Sequence, residues 1–229
     1  GSKYFDLYEY DFNTEEEEQL TEGLRLYSPL YDPINNKIIA LNTYDGTSNL
    51  VVGNRDFTEY NILTKFDNGI QIYSITLYDD NYLIDAVINH ERDLYVIDSF
   101  TGEIQDMKKE PWDLRNPMYK NNSLLYSDDK YGIYNIYFKN DIEEGYVTNV
   151  IGGAFKPDIS KDGKIIFSLF ENGRYKLALL ENPTIINNSE TIVSENKNYL
   201  QRPTSVLIDS QFEGPSRMYE EKMTGPFFF

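Results

Sequence analysis

Carboxylates are the one reactive group this chain holds in surplus: 38 Asp and Glu stand against 21 Lys and Arg, with one His and no Cys. Asp79-Asp80, Asp128-Asp129 and Asp162 fall at equivalent turns, and Asp45, Glu91 and Glu171 lie near the next ones. Oxygens of this kind gathered at one rim can cage Ca²⁺. Two carboxyls set across a sugar can cleave a glycosidic bond. Both chemistries depend on spacing in three dimensions, whereas an Asp in a turn has a local task, accepting hydrogen bonds from the backbone two residues on. Turn chemistry is the reading adopted, with no cofactor and no metal site expected. His90 is the sole histidine, in the turn Asn89-His90-Glu91-Arg92-Asp93. That excludes multi-histidine zinc sites and leaves a Ser-His-Asp enzyme without a recognisable serine. Neither a G-x-S-x-G elbow, a phosphate-binding glycine loop nor an H-E-x-x-H pair occurs, so no catalytic residue is expected in this chain.

The elements that would position these groups are short and they repeat. Residues 153 to 181 read as strand, turn, strand, turn, strand, punctuated by Asp162-Gly163 and Gly173. Enrichment in β-branched and aromatic residues favours a pleated surface there. A first column, Leu7, Leu50, Leu94, Ile136 and Leu177, steps by 43, 44, 42 and 41 residues. A second, Leu20-Thr21, Leu63-Thr64, Met107-Lys108, Val147-Thr148 and Val193-Ser194, steps by 43, 44, 40 and 46. A third, Pro29, Ser74, Pro117, Pro157 and Pro203, follows the second by 9 to 11 residues. A period in the forties with about four short strands per copy is the signature of a β-propeller.

The pattern Pro157-x-x-Ser160-x-Asp162-Gly163-Lys164, the strand Asp93 to Asp98 and the close Leu20-Thr21-Glu22-Gly23 resemble the TolB-type propeller repeat, over residues 3 to 203. Two copies depart from it: one has Ser74 in the proline column, and another has Asn121-Asn122-Ser123 in place of the Asp-Gly turn. The resemblance implies an extracytoplasmic, envelope-associated protein, periplasmic in a didermic bacterium, that binds another protein or a peptide segment. Gly1-Ser2 look vector-derived, so the lack of a leader carries no information on compartment.

The expected fold class is all-β, a propeller of four-stranded antiparallel blades within residues 1 to 209. Four blades are expected at 28 to 66, 72 to 109, 116 to 149 and 155 to 195. A fifth would be closed from both termini, by residues 3 to 27 with 199 to 209. Residues 210 to 229 read as a linker or strap to a further region. The run Glu15 to Glu18 begins an outermost strand, where charge discourages edge-to-edge pairing.

A formal charge of −17 argues against nucleic-acid partners, since phosphate contacts need a cationic surface. No stretch reaches the apolar length of a membrane span, and a monomer without membrane insertion is expected. The inner strands would line a central channel. Tyr27, Tyr73, Arg115, Phe155, Lys156, Tyr199 and Arg202 are the candidates for its mouth: aromatic rings offer area to an extended peptide, and Arg or Lys pair with its carboxylates. The leading expectation is a non-catalytic binding and scaffolding propeller. The alternative is the substrate-gating propeller of a larger peptidase, and a third reading is a carboxylate-based carbohydrate enzyme.

Overall fold

The computed structural model describes residues 5–186, and all of their regular structure is β. A first sheet is a hairpin, β1 (Tyr8–Asp11) and β2 (Glu16–Gln19). A second holds β3 (Leu26–Asp32), β4 (Lys37–Tyr44), β5 (Thr47–Asn54) and β6 (Tyr60–Ile62). A third holds β7 (Gln71–Tyr78), β8 (Asn81–Ile88), β9 (Glu91–Ile97) and β10 (Ile104–Lys108). A fourth holds β11 (Leu114–Lys120), β12 (Ser123–Asp128), β13 (Asn135–Lys139) and β14 (Glu144–Tyr146). The fifth holds β15 (Ala154–Ile159), β16 (Ile165–Glu171) and β17 (Arg174–Leu180). Each is an antiparallel meander in which sequence neighbours pair.

Tight turns make the meanders possible. Asp45-Gly46 has φ of 49° and 74°, and Asn172-Gly173 has 52° and 75°. Two successive left-handed residues match the twist of the strands they join. At Asn121-Asn122, where the sequence lacks Asp-Gly, φ is 54° and 53°. Asparagine tolerates this region better than most residues, so this copy joins its first two strands by a two-residue turn, whereas at Asp162-Gly163 only Gly163 has a positive φ, 81°.

One sheet cannot hide both faces, and the interior sheets hide them against each other. Ile39, Leu41, Leu50 and Val52 of the second sheet pack on Ile72, Tyr82, Ile84 and Tyr95 of the third. Leu83 and Leu94 of the third meet Leu114 and Tyr126 of the fourth. Leu125, Ile136 and Phe138 of the fourth meet Ala154, Ile159, Ile165 and Phe167 of the fifth. In consequence β8 is buried from Tyr82 through Ala86 without alternation, as expected of a strand covered on both sides.

The first two columns of the repeat mark a side-chain clamp between third and fourth strands. Thr64 Oγ1 accepts from Leu50 N (2.9 Å) and donates to Asn49 Oδ1 (2.8 Å). Thr148 repeats this with Ile136 N (2.8 Å) and Asn135 Oδ1 (3.0 Å). So does Thr21 with Leu7 N (2.9 Å) and Asp6 Oδ1 (3.2 Å). All three threonines are buried. The hydroxyl satisfies a backbone donor that the short fourth strand no longer reaches.

The expected ring of five blades is overturned. The sheets have two, four, four, four and three strands, and none of them is closed into a ring. β1 pairs with β2 alone among the described residues, and the hairpin rests on the second sheet through Leu7, Leu20 and Leu24 against Leu26, Ala40, Val51 and Phe57. The expected closing segment, 199 to 209, lies outside the described residues, as do the end of the 155 to 195 repeat and the linker at 210 to 229. Tyr8 and Tyr10 on β1 are about half exposed (53% and 47%), and Tyr175, Leu177 and Leu179 on β17 are 67%, 78% and 54% exposed.

Candidate functional site

The first strands of the four larger sheets converge on one cavity of about 380 Å³. Each of these strands is irregular at the same place. In β3, Ser28 and Pro29 together oppose Ala40. In β11, Asn116 and Pro117 oppose Tyr126, and in β15, Lys156 and Pro157 oppose Phe167. In β7, Tyr73 is the extra residue between Ile72 and Ser74, whose partners Ala86 and Asp85 are adjacent. A bulge inserts one residue and re-aims side chains, and here it turns Ser28, Tyr73, Asn116 and Lys156 to the same cavity, each followed on the wall by Pro29, Ser74, Pro117 or Pro157.

Three of these bulges are strained. Ser28, Asn116 and Lys156 have φ of 50°, 52° and 50°. Side chains other than glycine avoid this region, and a residue before proline normally stays extended. The strain recurs at three equivalent positions facing one space, which is the pattern of a functional surface rather than of a packing accident. Tyr73 has Ser74 after it, and its backbone carries no positive φ.

That serine has a partner. Ser74 Oγ donates to Asp85 Oδ1, and Asp85 is fully buried. Arg92 Nε (3.1 Å) and Nη2 (2.5 Å) both donate to Asp85 Oδ2, and Asn116 N reaches the same oxygen at 3.3 Å. The Arg92 guanidinium lies 4.0 Å over the Tyr73 ring, a cation–π contact at the cavity wall. A second network sits one strand away. Arg115 Nη2 donates to Asp113 Oδ2 (2.7 Å), Tyr134 Oη donates to the same oxygen (3.1 Å), and Asp113 N donates to Asp129 Oδ1 (2.9 Å). Burial raises the Asp129 carboxyl above its ordinary pKa, partly offset by the bond from Asp113 N.

No protein-family model matches this chain, and no curated protein does. Solved structures do match. TolB from Acinetobacter baumannii superposes with a TM-score of 0.60 at 19% identity, over 76% of this chain and 45% of that one. The β-propeller domain of the Trilobed protease from Pyrococcus furiosus, described as having an open velcro topology, gives 0.55 at 14%, over 80% and 64%. A puromycin-hydrolyzing peptidase of Mycobacterium tuberculosis gives 0.54 at 13%, over 82% and 34%. This chain has a β-propeller fold. Its fold is similar to that of the propellers of TolB and of peptidases, and at these identities the likeness is one of fold. The chain spans less than two thirds of the length of each of the three.

Within this propeller the sequence-predicted mouth residues divide in two. Tyr73 and Lys156 line the cavity. Tyr27, Arg115 and Phe155 stand one residue before the bulge and turn elsewhere. Tyr27 Oη hydrogen-bonds Thr43 Oγ1 (2.9 Å), and Arg115 lies 4.4 Å over Tyr134, whose ring is 5.1 Å from that of Phe155. Tyr199 and Arg202 lie outside the described residues. Ser28 and Asn116 line the cavity, Asp85 and Arg92 contact its wall residues Ser74 and Tyr73, and none of the four was singled out from the sequence. The residue before each proline of the third column was the available signal for the first two. The carboxylates considered for Ca²⁺ stay apart, and among the described residues no three of His, Asp and Glu are placed to hold a metal ion. Asp11 and Asp98 do turn work: each accepts two backbone N–H groups, which hold its carboxyl below the ordinary range. His90 is exposed at a turn with φ of 72°.

Proposed function

We propose that this propeller admits an extended polypeptide at the cavity formed by its inner strands, as the substrate-gating domain of a larger peptidase. The observation that carries this is the convergence of four bulges on one space. It presents a half-exposed tyrosine, a lysine, a serine and an asparagine whose backbones are held in place by the sheets behind them. Side chains of this kind suit a peptide: the ring supplies apolar area, the amide and hydroxyl meet main-chain groups, and the cation meets carboxylates. The fold shared with a puromycin-hydrolyzing peptidase and with the Trilobed protease propeller supports the same reading.

The test is binding of fluorescein-labelled, oxidised insulin B chain, an unfolded peptide, followed by anisotropy on the full 229-residue chain. Saturable binding is expected, weakened on the order of tenfold by Tyr73→Ala, as loss of a contact worth about 1.4 kcal/mol would give. Absence of binding, or binding untouched by Tyr73→Ala, overturns the reading. A second reading, a non-catalytic scaffold in the periplasm, is favoured by the likeness to TolB at a TM-score of 0.60. A reading frame that joins this propeller to an envelope anchor rather than to a hydrolase domain would decide for it.

A further inference from the structure

Arg92 is held in a way that packing does not explain. At the register position opposite each bulge, the second, fourth and fifth sheets bury Ala40, Tyr126 and Phe167, while the third buries Asp85. A charge in that place costs desolvation that an apolar side chain avoids, and a buried ion pair is seldom the more stable choice. What the pair does accomplish is orientation. Asp85 Oδ2 takes Nε and Nη2 of Arg92, Ser74 occupies Oδ1, and Asn116 N of the next sheet ties the carboxylate to a second bulge. Nη1 is left without a hydrogen bond among the described residues. The Arg92 side chain, 12% exposed, is held over the ring of Tyr73, a residue of the cavity wall.

Lys156 lines the cavity and makes no ion pair among the described residues, while Asp158, the acidic residue on the same wall, is paired with Lys120 Nζ at 3.2 Å. We infer that Arg92 and Lys156 form a carboxylate-reading subsite, with Arg92 as the specificity-determining residue and Asp85 and Ser74 as positioning residues, and that the ligand is a peptide presenting a free C-terminal or side-chain carboxylate. This rests on the peptide-binding reading above and names what part of the peptide is recognised. Arginine suits the task because its planar fork, already anchored along one edge, loses little freedom when it pairs a second time.

The test compares two probes on the unaltered full chain: acetyl-tetra-alanine with a free C-terminal carboxylate, and the same peptide as its amide, titrated by NMR. The acid is expected to bind at least about tenfold more tightly, the discrimination that one charge-assisted pair can give. Arg92→Gln in the background of Asp85→Asn, which leaves no unpaired buried charge, is expected to lose most of the preference for the acid, with Lys156 alone left to meet it. Melting curves establish that this double variant is folded, and the two-probe comparison on the unaltered chain stands without it. Equal binding of acid and amide by the unaltered chain overturns the carboxylate subsite while insulin B chain binding still supports the peptide site. Failure of all three peptides to bind overturns both.

Discussion

At the position opposite the bulge, the fourth sheet buries Tyr126, stacked 5.2 Å from Tyr137, whereas the third sheet buries Asp85 and must bring Arg92 to it. At the start of the third strand, the fourth sheet has Asn135, whose Oδ1 accepts from Thr148 Oγ1 (3.0 Å) and Val150 N (2.9 Å). The third sheet has Asp93, whose Oδ1 takes only Glu110 N at 3.2 Å and whose buried Oδ2 has no partner. The backbones are equivalent and the polar satisfaction is not. The fourth sheet shows what the repeat needs in order to stand, and the third shows where the repeat departs from that need. Both of its departures place a carboxylate where the neighbouring sheet has a neutral side chain. Only the one beside the cavity is fully hydrogen-bonded.

The sharpest way to break this comparison is to remove half of the buried pair. Arg92→Leu leaves Asp85 charged and uncompensated and is expected to cost about 3–5 kcal/mol. Asp85→Ala with Arg92→Leu, which copies the apolar choice made at Ala40, should fall within about 1–2 kcal/mol of the unaltered chain, since a buried ion pair replaced by apolar groups is often close to neutral. The residual cost would come from the Ser74 hydroxyl and Asn116 N, which lose their acceptor. Urea unfolding of the two variants checks both numbers. A single variant as stable as the double would mean that Asp85 is not a buried charge in need of a partner.

Much of this contrast was legible as an irregularity before its cause was visible. The columns at Leu7 and Leu20-Thr21 locate strands because they encode the threonine clamp, and a clamp needs fixed spacing. Ser74 in the proline column was an anomaly in the sequence, and it is explained by the acceptor Asp85 in the paired strand. The cavity residues were harder. Side chains alternate along a strand, so an error of one residue changes the face, and a bulge shifts the count by one within the strand itself. Tyr27, Arg115 and Phe155 stand on the near side of that shift, Tyr73 and Lys156 on it. Arg92 lies two residues after His90, in a segment whose sequence reads as a turn although it is the second residue of β9, and nothing in the sequence pattern links it to Asp85, seven residues earlier on the neighbouring strand. Ring closure was inferred from matching ends, and matching ends do not establish pairing.

A smaller effect is expected where the fourth sheet is made to lose its clamp. Thr148→Val keeps the volume and removes the hydroxyl, leaving Ile136 N without its 2.8 Å acceptor in a buried setting. An unsatisfied buried donor costs about 1–3 kcal/mol. Thr64→Val should cost the same, because Leu50 N and Asn49 Oδ1 are placed alike. Thr21→Val should show in global unfolding only if the first hairpin unfolds together with the sheets. Hydrogen exchange at Leu7, Leu50 and Ile136 resolves the three sites separately, and unchanged protection at Leu50 and Ile136 would remove the clamp from the account of the fold.

The least effect, and the one of opposite sign, is expected at Asp93. Burial raises this carboxyl above its ordinary pKa, with the hydrogen bond from Glu110 N working against the rise. A raised carboxylate pKa means that the folded chain takes up the proton more readily than the unfolded chain. Between the ordinary value of 3.8 and the raised one, stability therefore falls as pH rises, and at neutral pH the charged form is a net cost. Asp93→Asn supplies the amide that the fourth sheet carries at Asn135 and should add about 0.5–1.5 kcal/mol at pH 7. The gain should shrink as the pH is lowered toward the ordinary carboxylate range, because the unaltered Asp93 then becomes neutral by itself. Urea unfolding across that range reads the difference directly. A gain that is independent of pH would locate it in the new amide hydrogen bonds alone, and a loss at pH 7 would show that the Asp93 charge is compensated by Lys109, whose field already acts to lower its pKa.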